Sequence, residues 1–136
     1  MWLGNYCRSP LAQAALAHRG RGAVAVRTAG LISKWQDRPA HPSMTNAARR
    51  LGHDLTPHRA QQINLEMLEW ADDILAMGAA VLSTLEAVSG ERNAHKRSRY
   101  LGDRDVPDPM GQSDDTFHEC AVLVEAGTLL HLGRRP

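Results

Sequence analysis

Short β-prone runs and helix-period stretches alternate along this chain, and glycines punctuate most of the changes. From Pro10 to His18 the spacing predicts a helix with Leu11, Ala14, Ala15 and His18 on one side, ended by Arg19-Gly-Arg-Gly22. Ala23 to Thr28, carrying Val24 and Val26, reads as a strand closed by Gly30. An irregular loop from Leu31 to His41 leads to a helix that starts at Pro42 or Ser43 and runs to Leu51, where Gly52 stops it. Thr56-Pro57 can open a short helix. Asn64 is a good N-cap for a helix from Leu65 to Trp70. Asp73 to Met77 is a short apolar run of the kind found in buried parallel strands. Gly78 to Val88 is again helical, with Val81, Leu82 and Leu85 as its buried stripe. A polar stretch from Ser89 to Ser98 precedes a short strand at Arg99–Leu101 and a loop from Asp103 to Asp115 rich in Asp, Pro and Gly. Phe117 to Leu132 closes the pattern as a helix with Cys120, Ala121, Val124 and Leu130 facing inward.

This order predicts a single α/β domain over residues 1–136, a doubly wound, mainly parallel sheet with helices on both faces. In such sheets ligands sit beyond the strand C-termini, where loops enter helices. Met1 to Pro10 is such a loop, and Arg8, Ser9 and Pro10 feed the first helix. Gly4 permits a tight turn, while Asn5 and Ser9 can hydrogen-bond the loop to itself. Arg8 offers a planar fork of donors suited to phosphate. With Ser9 as N-cap, backbone N–H groups and the positive end of the helix dipole would complete an oxyanion cradle.

Composition narrows the partners. The 136 residues are 43% apolar with a formal charge of +1, which gives no basis for nucleic-acid or membrane binding. Cys7 and Cys120 are too far apart in sequence to read as a disulfide framework or a zinc motif, so a reducing, cytoplasmic setting is the default. The histidines show no metal spacing, and His18, His41, His53, His95, His118 and His131 read as surface residues. Neither a metal nor a cofactor is expected.

Gly4-Asn-Tyr-Cys-Arg-Ser-Pro10 resembles the phosphate loop of the low-molecular-weight protein tyrosine phosphatases, a family that includes arsenate reductases and bacterial protein-arginine phosphatases. The resemblance runs nearly the whole length. It continues in Thr28-Ala-Gly30, Pro39-Ala-His-Pro42, Gly52-His-Asp-Leu55, His58-Arg-Ala60 and Ala71 to Met77. It ends in Asp105-Val-Pro-Asp-Pro109, followed by Gly111-Gln-Ser113, which is similar to the family's acid loop.

The resemblance implies a mechanism and a site. A cysteine thiolate attacks phosphorus, a phosphocysteine forms, and water hydrolyses it. The thiolate must be anionic at neutral pH, which a helix N-terminus and loop amides achieve by lowering a cysteine pKa to roughly 3.5–7.5. Loop donors hold the equatorial oxygens, and an aspartic acid protonates the leaving oxygen. By position the phosphate-binding set is Leu3, Gly4, Asn5, Tyr6, Cys7, Arg8 and Ser9. Arg8 and Asp108 are the catalytic pair, and Asn5, Ser9 and His58 support the loop. Trp35 and Met110 would line the mouth of the site. The nucleophile position, six residues before Arg8, is occupied by Trp2. Indole offers no titratable thiol, and six residues beyond Cys7 stands Gln13, so Cys7 does not restore the motif. The family's first strand, central in its sheet, would precede Met1.

The expected activity is therefore that of a phosphatase-family protein which binds phosphate, or a phosphorylated protein or small molecule, and is catalytically impaired. One alternative is an active phosphatase whose start and second residue are mis-read, since Trp and Cys codons differ by one base. An arsenate-reductase-like role ranks last, because it would need redox cysteines beyond Cys7 and Cys120.

Overall fold

A computed structural model describes residues 8–21, 24–30, 37–91 and 93–132. The elements are α1 (Arg8–Gly20), α2 (Pro42–Arg50), α3 (Leu65–Trp70), β1 (Ile74–Ala76), α4 (Ala79–Ser89), β2 (Arg97–Arg99), α5 (Asp114–Gly127) and α6 (Leu129–Leu132). A short 3-10 turn, Ala94–Lys96, leads into β2.

Strands β1 and β2 pair in parallel, with Ile74 opposite Arg97 and Ala76 opposite Arg99. Period-2 alternation sends the residues of β1 and its continuation to opposite faces. Ile74 packs with Leu68 and Leu85, from α3 and α4, while Leu75 and Met77 join the larger core built on α1, α2 and α5. Helices therefore cover both faces of the sheet, as the alternating pattern predicts.

Caps set most helix starts. Asn64 Oδ1 accepts from Met67 N–H at 2.9 Å, as expected for α3. His41 Nδ1 accepts from Ser43 N–H at 3.1 Å, with Pro42 in the first turn of α2. Helix α5 begins three residues before the expected Phe117, because Ser113 caps it and Asp114 and Asp115 favour its positive end. It then breaks at Thr128, whose hydroxyl donates to Glu125 O at 2.7 Å. The last turn becomes α6, and Leu130, expected inside, is exposed.

Other expectations shift. Helix α1 includes Arg8 and Ser9, and its buried face is Leu11, Ala12, Ala15 and Leu16, with His18 exposed. Leu82 is only half-buried on α4, and Thr56-Pro57 forms a turn. The last strand lies at Arg97–Arg99, two residues earlier than expected. Its side chains carry no apolar alternation to reveal it, whereas Tyr100 and Leu101, just beyond, are buried in the core. His53 is buried, its Nε2 bonded to Glu125 Oε2 at 2.7 Å, and His131 bonds to Tyr100 O.

The expected strand at Ala23–Thr28 is the largest departure. Ala23 lies outside the described residues, and residues 24–29 have no regular secondary structure and do not join the β1–β2 sheet. Side chains hold them instead. Gln13 Nε2 donates to Val26 O at 3.2 Å, Thr28 Oγ1 bonds to Gln13 Oε1 at 3.0 Å, and Gln61 Nε2 donates to Thr28 O at 2.8 Å. Backbone pairing begins only at Gly30, which bridges Gln62 in parallel. A cavity of about 450 Å³ is lined by residues of this segment and of β1. The expected absence of a first strand concerns residues at and before Met1, outside the described residues.

Candidate active site

The C-terminal ends of β1 and β2 point at one edge of the sheet, and the start of α1 meets them there. Arg8 is buried on the first turn of α1, and its guanidinium donates to Val106 O. Val106 is itself fixed, its N–H donating to Met77 O at 2.8 Å just past β1. The aspartate-rich loop is thus joined to the sheet by a backbone donor and to α1 by a backbone acceptor, two residues from Asp108.

Asp105 holds the other end of this loop. Its Oδ1 accepts from Ala79 N–H at 2.9 Å, capping α4 from outside the helix, and from Arg99 Nη1 at 3.2 Å. Those partners, the Ala79 amide foremost and then Arg99, hold its carboxyl below the usual aspartate range. Gly78 keeps the approach open, because a Cβ there would sit 3.1 Å from the Asp105 carboxyl carbon.

Asp108 projects to solvent between two prolines, and its Oδ1 accepts from Met110 N–H at 3.0 Å in an Asx-type turn. Pro109 is buried beneath it and Met110 is half-buried. Behind the loop, Cys120 Sγ donates to Pro107 O at 3.6 Å. Burial pushes the Cys120 thiol up to about 11; nearby Arg8 lowers it and Asp108 raises it further. Ser9, beside Arg8, is fully buried, and its hydroxyl finds no hydrogen-bond partner among the described residues. It therefore does not act as the expected N-cap.

The structure brings Arg8, Ser9 and the Asp108 loop to one edge. His58 is half-buried, with its N–H donating to Leu55 O and its carbonyl accepting from Arg59. Trp2, Leu3, Gly4, Asn5, Tyr6, Cys7 and Trp35 lie outside the described residues. Sequence reasoning missed Asp105, whose cap partner is twenty-six residues away and leaves no local signal. It missed as well the bracing of α1 by Gln13 and Thr28. No group of His, Cys, Asp or Glu suited to a metal ion occurs among the described residues.

The family model for low molecular weight phosphotyrosine protein phosphatase matches residues 1–131. The chain belongs to this family. Among its relatives is a probable low-molecular-weight protein-tyrosine-phosphatase, EpsP, of Ralstonia solanacearum. It is 32% identical over 126 residues, covering 92% of this chain and 86% of that protein. YfkJ of Bacillus subtilis, a low-molecular-weight protein-tyrosine-phosphatase, is 31% identical, with 92% and 86% covered. The solved structure of YfkJ superposes with a TM-score of 0.87 at 29% identity, over 97% of this chain and 89% of that one. Wzb of Vibrio vulnificus, solved with benzylphosphonate, has the same fold: TM-score 0.91, 24% identity, 98% and 94% covered. The phosphatase fold and family read from the motifs hold over nearly the full length. No helix among the described residues is long and apolar enough to cross a membrane.

Proposed function

We propose that this chain is a phosphate-binding member of the phosphatase family that has lost the covalent step. The supporting observation is Arg8, buried at the start of α1 and bonded to the backbone of the loop that carries Asp108. A guanidinium so held is oriented before any ligand arrives, and a planar fork of donors suits an oxyanion. On this reading Leu3 to Ser9 form the cradle, Asn5, Ser9 and His58 support it, and Asp108 is the residual acid. The family's relatives point to the ligand class: Wzb of Escherichia coli was solved with sulphate and that of Vibrio vulnificus with benzylphosphonate. The partners proposed here are phosphate and phosphorylated proteins or small molecules, met by a single domain in the reducing cytoplasm.

Trp2 occupies the position from which the family's cysteine attacks. Removing the nucleophile of a serine protease costs on the order of 10⁶ in turnover, so aryl phosphate hydrolysis is expected near background. Titration with inorganic phosphate or vanadate should raise the melting temperature of the chain and leave that of Arg8→Ala unchanged. An aryl phosphate assay at mildly acid pH then separates binding from chemistry. Turnover by the chain as it stands that is lost in Asp108→Asn would overturn this account. Trp2→Cys restores turnover if the remaining machinery is intact.

A further inference from the structure

Helix α4 starts without a side-chain cap of its own. Its N-cap residue is Gly78, which has no side chain to accept from the first N–H groups. The acceptor comes from the aspartate-rich loop instead. Asp105 Oδ1 lies 2.9 Å from Ala79 N and 3.2 Å from Arg99 Nη1, and a carboxylate there suits the positive end of the helix. The next residue is fixed as well, because Val106 N–H donates to Met77 O at 2.8 Å. Two consecutive residues are thus tied to the start of α4, the end of β2 and the chain leaving β1. That joint leaves the Val106 carbonyl little freedom, and this carbonyl is the one that accepts from the Arg8 guanidinium. A neutral carbonyl orients a guanidinium without cancelling its charge, which stays available to an anion.

We propose that Asp105 is a positioning residue of the phosphate site: by clamping the root of its loop to α4 and β2, it holds the Val106 carbonyl where that carbonyl aims Arg8 at the anion. The inference rests on the phosphate-binding reading and adds to it a residue that touches no phosphate. Asp105 acts through geometry rather than charge. As a charge it would oppose an anion held by Arg8, whereas as an acceptor it fixes the loop. Asparagine separates the two effects, because its Oδ1 can still accept from Ala79 N–H. Alanine removes the acceptor, and since Asp105 is exposed the truncation leaves no cavity in the core. Without the clamp the Val106 carbonyl samples more positions. Phosphate must then order Arg8 itself, which lowers affinity.

The test titrates the full chain, labelled with nitrogen-15, with inorganic phosphate at neutral pH and reads Kd from the amide signals of the Val106–Met110 loop and the Arg8 Nε signal. Asp105→Ala should bind phosphate about tenfold more weakly, the loss expected when a charge-assisted hydrogen bond is no longer preorganised. Asp105→Asn should stay within about twofold of the unaltered chain, because the acceptor remains. Asn64→Ala removes the cap of α3 and should lower Tm comparably while leaving Kd unchanged. Hydrogen exchange at the Val106 amide should quicken at least about tenfold in Asp105→Ala and hold steady in Asn64→Ala; an unchanged rate in Asp105→Ala would overturn the proposal. An equal loss of affinity in Asn64→Ala would trace the effect to stability, and an equal loss in Asp105→Asn would trace it to charge; either result overturns it. Binding that is lost in Arg8→Ala and kept in full by Asp105→Ala would overturn this inference alone. No binding by the unaltered chain would overturn the phosphate reading together with it.

Discussion

Replacing Ser9 by alanine tests the reading of the α1 terminus, because a satisfied hydroxyl, capping the helix or supporting the loop before it, and an unsatisfied one predict opposite signs. If Ser9 capped the helix, Ser9→Ala would cost roughly 1 kcal/mol. In the structure it lies inside α1, fully buried, and its Oγ has no hydrogen-bond partner among the described residues. Removing a buried, unsatisfied hydroxyl recovers its desolvation penalty, about 1–3 kcal/mol, against the small loss of contacts from deleting one oxygen. The net expectation for the free chain is a gain of about 1 kcal/mol. For a chain of this size that corresponds to roughly 3–4 °C in Tm. Alanine is also the better helix former, which adds a few tenths of a kcal/mol. Urea titration followed by circular dichroism would read it as a higher midpoint at unchanged m-value. A lower midpoint, by half a kcal/mol or more, would mean the hydroxyl is satisfied in the folded chain and would refute the argument.

Further predictions follow from the core and from buried ionisable groups. Gly127→Ala should destabilise by about 1–3 kcal/mol in spite of better helix propensity, because its Cβ would lie 2.5 Å from Tyr100 Cε1 and 3.0 Å from Leu101 Cδ2; thermal melts check this, and an unchanged Tm would show that Tyr100 yields. Burial raises the pKa of Glu125, yet hydrogen bonds from Arg19 and His53 outweigh it and leave the folded value below the ordinary 4.5. Its stabilisation is therefore full above the unfolded pKa and lost as pH falls through the folded one; Glu125→Gln should flatten the acid limb of stability measured by urea melts between pH 6 and about pH 3. Cys120, with its thiol raised to about 11, should react with a soluble disulfide reagent at pH 8 far more slowly in the native chain than in urea; mass mapping of the labelled cysteine decides it.

The helices were legible where a local signal marks them. Asn64 and Pro42 lie next to the turns they start, and the helix-period stripes of α4 and α5 show on the page. The strands were less so. Asp73–Met77 is an apolar run that only a doubly covered strand explains, but Arg97–Arg99 has no apolar residue and is held by its ladder to β1. Residues 24–29 have the composition of a strand and pair with no strand among the described residues. At the site, Arg8 and Asp108 were reached through the order of motifs, since nothing local relates residues a hundred positions apart. Asp105 escaped for the same reason: its partners, Ala79 and Arg99, become neighbours only when β1, α4 and β2 are assembled.

The loop that bears Asp108 is anchored through main-chain atoms. Val106 gives its N–H to Met77 and its carbonyl to Arg8, while its side chain only fills core. Two residues on, the Asp108 carboxylate stands in solvent and accepts from Met110 N–H within its own loop. Scaffold and reactive group are thus assigned to different residues, so position 108 can be exchanged in drift or by engineering without redrawing the loop. The same loop could present an amide, a second base or a metal-binding carboxylate to whatever Arg8 holds.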